Sequence, residues 1–119
     1  MDQTSLSIRI YSFYLFLMGT VLVLIPNLLL TLFGFAQTSE IWIRMLGLFT
    51  FTVGIYYFYS SVHNQTAFYR ATIVGRLFFF IITVVFVYFL EQSPMLAIIG
   101  SVDLIGGLWT YFTINNKRP

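Results

Sequence analysis

Three charged side chains sit inside long apolar runs: Arg44, Arg76 and Asp103. A charge at the centre of a membrane helix costs about 2.5–3.5 kcal/mol on insertion scales. Such residues turn toward protein or a water-filled cavity, pair with one another, and mark sites. A guanidinium is a planar fork of donors that matches carboxylate, phosphate or carbonyl oxygens. Two arginines facing one aspartate leave a positive charge over. That surplus suits an anionic or carbonyl-bearing ligand.

Spacing gives these residues company. Gly100, Asp103, Gly107 and Thr110 follow i, i+3, i+7, i+10 on one helix face. Thr72, Arg76 and Thr83 share a face, as do Glu40, Arg44, Gly47, Phe51 and Gly54. Glu40 and Arg44 form an i, i+4 pair, and Trp42 lies between them. Three stripes of small and polar residues describe a bundle interior or a narrow pocket within it. The candidate ligand-binding set is therefore Arg44, Arg76 and Asp103, with Trp42, Glu40 and Thr110 beside them. Plainer readings stand alongside. Arg44 snorkels to the outer headgroups or pairs with Glu40, and Arg76 reaches the inner headgroups. Asp103 is then structural, holding an arginine as interhelical glue.

The elements that must position these groups follow from composition. The chain has 119 residues, 59% hydrophobic, 20% aromatic and only 8% charged. An average soluble domain is about 25% charged. A soluble chain this short could not bury so much apolar surface. The fold class is therefore an all-α integral membrane protein. A single domain of four transmembrane helices is expected over 1–119, in one bundle with both termini cytoplasmic. Spans are expected at about 7–25, 41–60, 68–90 and 95–114, each near the 20 residues a crossing needs. Pro26 and Asn27 end or kink the first, and Pro94 suits a helix start. Residues 28–35 are too short to span and read as an outer-surface helix, or else as a re-entrant piece, with Gly34 near the end. Continuous apolar runs exclude barrel strands, which would alternate.

Depth follows from a rise of about 1.5 Å per residue. Asp103 falls between Arg44 and Arg76, within reach of either. Arg9, Arg70, Lys117 and Arg118 gather on one side of the alternating spans. The opposite loops, 26–40 and 91–94, contain no Lys or Arg. The basic side is then cytoplasmic. The eight tyrosines fall near span ends and read as an interfacial belt. Gly47 and Gly54 in span 2 match Gly100 and Gly107 in span 4, a weak internal repeat. Glycines seven apart share a face and admit a close backbone.

Several classes drop out. There is no cysteine, so disulfides, thiolate catalysis and Cys-held metals are excluded. No span carries histidine for a haem, and His63 lies alone in a loop, so neither metal nor cofactor is expected. Nothing marks an enzyme: G-x-S-x-G, H-E-x-x-H, P-loop and G-x-G-x-x-G patterns are all missing. There is no basic patch for nucleic acid. The first apolar run is too long for a signal peptide and lacks a cleavage site.

Some of these residues also carry a likeness. Trp42-Ile-Arg44-Met-Leu-Gly47 with Gly54, then Gly75-Arg76, then Val102-Asp103-Leu-Ile-Gly106-Gly107, make the chain resemble the DoxX-like group of small four-helix proteins. The resemblance covers most of the chain from span 2 onward. It implies the bacterial inner membrane and, for some members, a tie to quinone-linked respiratory or sulfur-oxidising complexes. The cysteines of redox-active members are missing here. Three functions remain open. The first binds a quinone-like, lipid-like or other amphipathic molecule at the Arg/Asp site. The second is a non-catalytic subunit of a larger membrane complex. The third is a small proton-linked transporter working as a homo-oligomer around Asp103.

Overall fold

The computed structural model describes residues 3–92 and 94–115. Asp2, Lys117 and Arg118 lie outside the described residues. The described residues form five helices: α1 (Gln3–Leu24), α2 (Pro26–Leu32), α3 (Ile41–Val62), α4 (Thr66–Phe89) and α5 (Leu96–Asn115). All but α2 are long and apolar enough to cross a membrane. The expected spans are thus present, with α1 starting a turn earlier than the apolar run suggests.

Local chemistry sets the breaks. Pro26 has no N–H and pushes the residue before it out of helical geometry. Ile25 accordingly sits at φ −138°, ψ 63°, and α2 starts on the proline. Gly34 closes α2 at φ 82°. Phe35 N–H donates to Leu30 O at 2.7 Å and Gly34 N–H to Thr31 O at 3.2 Å, satisfying the last carbonyls. Asn64 plays the same part after α3 at φ 54°, with Gln65 N–H on Ser60 O at 3.2 Å. Asparagine tolerates that left-handed geometry. Pro94 falls two residues before α5, inside the turn that leads into it.

The long helices pack as neighbours in the order α3, α1, α5, α4. The α1–α3 and α4–α5 hairpins are the tight pairs, and α1 against α5 joins them. Glycines make the first pair close. A Cβ built on Gly47 would lie 2.6 Å from Leu22 Cβ and 2.9 Å from Gly19 O. In the second hairpin, a Cβ on Gly100 would meet Thr83 at 3.3 Å, and one on Gly107 would meet Arg76 Cβ at 3.6 Å. Each glycine-bearing helix thus lays its stripe on its hairpin partner, as the internal repeat implies.

The ends of the row, α3 and α4, are joined by a tight turn but do not run backbone to backbone beyond it. Near the turn their side chains meet, with the rings of Tyr57 and Phe68 5.3 Å apart. Farther on they leave a cavity between them.

Candidate functional site

A polar seam joins α1 to its neighbours at the end bearing Arg9 and Arg70. Thr4 Oγ1 donates to Thr113 Oγ1 at 3.0 Å, and Ser7 Oγ and Thr110 Oγ1 share a hydrogen bond of 2.7 Å. Ser5 Oγ and Tyr69 OH lie 2.9 Å apart, and Tyr69 OH donates to Ser60 O at 3.0 Å. Hydroxyls that satisfy one another across helices act as glue where lipid offers no partner.

The seam leads to the charges. Arg76 is 2% exposed and Asp103 6%. Arg76 donates from Nη2 to Thr72 Oγ1 and Thr110 Oγ1, both at 3.0 Å, and from Nε to Thr72 O at 3.3 Å. Asp103 Oδ1 accepts from Tyr11 OH at 2.7 Å. The Arg76 guanidinium carbon lies 4.9 Å from the centre of the Tyr11 ring and 5.8 Å from that of Tyr57. Two faces rich in π electrons thus cover the cation. Arg76 Nη1 is buried with no hydrogen-bond partner. It packs where Gly106 leaves space, since a Cβ there would lie 3.1 Å away.

These groups line one end of a cavity of about 560 Å³. Tyr11, Tyr57, Arg76 and Asp103 form its polar end. Leu15, Met18 and Leu22 of α1, Phe49 and Val53 of α3, and Phe79 of α4 make the rest mostly apolar; Thr50 among them turns its hydroxyl to Leu46 O. The volume falls in the usual range for small-molecule sites, about 300–1,000 Å³. A mostly apolar space with a few converging polar groups is what an amphipathic ligand requires.

The structure sorts the sequence candidates. It brings Arg76, Asp103 and Thr110 together. Gly100, Asp103, Gly107 and Thr110 are all buried, as are Thr72, Arg76 and Thr83. The third stripe behaves differently. Its glycines face α1, so Arg44 is aimed at the end of α1 and not at Asp103 on α5. Arg44 Nη1 donates to Val23 O, a carbonyl left without a helical partner by the Pro26 break. Glu40 precedes α3 and accepts from Trp42 Nε1 at 3.0 Å, in place of the expected pairing with Arg44. Asp103, which depth put within reach of either arginine, takes its direct hydrogen bond from Tyr11, whose ring faces Arg76. Among the described residues no salt bridge joins Asp103 to Arg76 or Arg44. Nor does Arg76 snorkel toward headgroups; its stem and head stay inside.

Tyr56, Tyr59, Tyr88 and Tyr111 are exposed, as an interfacial belt requires. The interfacial reading fails for Tyr11, Tyr57 and Tyr69, which are buried. The signal for Tyr11 was present in the sequence. Thr4, Ser7 and Tyr11 follow i, i+3, i+7 and continue the polar face of the first span. His63 is exposed and stacks on Tyr59 with ring centroids 4.1 Å apart.

Comparisons with protein-family models, with curated proteins and with solved structures found no match to this chain.

Proposed function

We propose that this small membrane protein binds an amphipathic molecule, quinone-like or lipid-like, in the cavity between α3 and α4. The ligand's hydrogen-bond-accepting head lies at the Arg76 guanidinium, beside the Tyr11–Asp103 pair. The carrying observation is that Arg76 lines a mostly apolar cavity with one guanidinium nitrogen unpartnered, while the nearby Asp103 carboxylate is bonded to Tyr11. Leaving a buried cation incompletely paired is costly, and cavity space beside it lets an accepting head offset that cost. A structural role alone would favour direct Arg76–Asp103 pairing and a filled interior.

In this reading both termini, Arg9 and Arg70 are cytoplasmic. Through the DoxX-like resemblance, the membrane is the bacterial inner membrane, and a quinone-like ligand stands beside a lipid-like one.

The test is native mass spectrometry of the protein gently extracted from its own membrane. The wild type is expected to keep a non-protein mass of a few hundred daltons. Arg76→Gln is expected to lose it while keeping a wild-type helical circular dichroism spectrum. A bare wild-type chain, or a folded Arg76→Gln chain with the same adduct, overturns the reading. A protein partner in place of the small molecule supports the complex-subunit function instead.

A further inference from the structure

A second cavity, of about 400 Å³, lies beneath α2 at the far end of the fold. Its lining includes Leu29 and Leu30 of α2, Phe33 just after it, and Trp42 of α3. Its exposed lining is almost wholly apolar. Met18, Leu22, Leu46 and Ile99 line both this cavity and the one containing Arg76. The two spaces therefore abut along shared walls on α1, α3 and α5. From Tyr11 at the polar end to Leu22 at the junction, α1 alone advances about 16 Å. Laid end to end, the two spaces have their charged groups at one end and, apart from Thr50, apolar walls from there to α2.

We propose that the site takes a single-chain amphiphile whose long apolar tail runs past Ile99 and Met18 to end beneath α2, beside Trp42. This rests on the reading that an accepting head sits at Arg76. It adds the ligand's shape and direction. A head held about a third of the way into α1 from the basic end is too deep for an ordinary bilayer amphiphile, whose head stays at the interface. The tail then points at the opposite surface, reversing the usual order of depth. Burying the tail in protein supplies affinity, relative to water, that a lone polar contact would not. Against lipid the gain is smaller, and fit decides it.

Trp42 reports on the tail directly. The chain has two tryptophans, so Trp109→Phe leaves Trp42 as the sole fluorophore. The probes are palmitate brominated at its terminal carbon and palmitate brominated next to the carboxylate. Both are added to the Trp109→Phe protein in nanodiscs of unbrominated lipid. The chain has no cysteine for the second probe to alkylate. Free in a bilayer, the carboxylate-proximal bromine lies at the interface near Trp42 and the terminal bromine lies at mid-membrane. The proposal expects the reverse order, with terminal bromine quenching Trp42 more strongly and saturably. Ile99→Phe, which narrows the junction, is expected to restore the bilayer order.

Stronger quenching by the proximal bromine overturns the proposal. So does an unchanged reversal in Ile99→Phe. Native mass spectrometry of palmitate binding separates this failure from that of the head site. Palmitate retained by wild type and lost in Arg76→Gln, without the reversed order, leaves the head reading standing and removes the tail path. Palmitate bound equally by wild type and Arg76→Gln removes the head reading. Palmitate bound by neither removes both.

Discussion

The hydroxyl of Tyr11 on α1 reaches Asp103 on α5 at 2.7 Å, and the ring of the same tyrosine faces the Arg76 guanidinium at 4.9 Å. One side chain thus serves both buried charges, the anion through its hydroxyl and the cation through its ring. It also ties α1 to α5, the contact that joins the two hairpins. Tyr11→Phe keeps the ring and strands the carboxylate. A loss of about 1–3 kcal/mol is expected, the cost of leaving one buried polar group unpaired. Reversible unfolding in mixed micelles measures it. A change within error would show that Asp103 finds another partner.

Asp103 and Arg76 should be energetically coupled although no salt bridge links them. Asp103→Asn and Arg76→Met are expected to be non-additive in a double-mutant cycle, because Tyr11 contacts both. In a Tyr11→Phe background the coupling should shrink. Coupling that persists undiminished would point to direct charge interaction and not to transmission through the tyrosine.

The hydroxyl of Thr110 accepts from Arg76 and shares a hydrogen bond with Ser7. Thr110→Val keeps the shape and removes both. It should destabilise by about 1–3 kcal/mol, whereas Thr110→Ser should recover most of that. The same unfolding assay distinguishes them; a loss in Thr110→Ser as large as that in Thr110→Val would show that the hydroxyl's bonds do not set the stability here.

Gly47 and Gly75 should respond oppositely to alanine. At Gly47 a Cβ meets backbone and the base of a side chain, neither of which can swing aside. Gly47→Ala is expected to cost about 1–3 kcal/mol by forcing α1 and α3 apart. At Gly75 a Cβ would meet nothing within 4 Å. Gly75→Ala should therefore be neutral, or stabilising by up to about 1 kcal/mol through lower backbone entropy in the unfolded chain. Thermal unfolding of the pair in one detergent is the comparison.

Arg44 should be separable from the ligand site. Its bond to the Val23 carbonyl lies at the α2 end of the α1–α3 hairpin, away from the cavity's polar end. Arg44→Gln is expected to keep any adduct that Arg76→Gln loses. Loss of the adduct in both would return Arg44 to the binding set.

The positive-side orientation has its own check. The chain contains no cysteine, so Asn64→Cys gives a unique thiol in the tight turn between α3 and α4. A membrane-impermeant maleimide should label it only in inverted membranes. Labelling in intact cells would reverse the orientation.

What the sequence by itself determined is the material and its punctuation. Continuous apolar runs of about 20 residues fix spanning helices because a barrel strand would alternate and, barrels apart, only a helix satisfies its backbone in lipid. Pro26 fixes the break before α2, and Gly34 fits the left-handed residue that ends it. The stripe through Gly100, Asp103, Gly107 and Thr110 was legible because helical spacing alone puts those residues on one face. Partner choice was not legible, since depth and periodicity leave azimuth open. Only the packing of Gly47 on Gly19 turned the Arg44 face toward α1 and removed it from Asp103. Only the approach of α1 to α5 brought Tyr11 to that carboxylate, across 92 residues of chain. The cavity, too, belongs to the tertiary structure, because it is the gap left where α3 and α4 part, and no single helix encodes a gap.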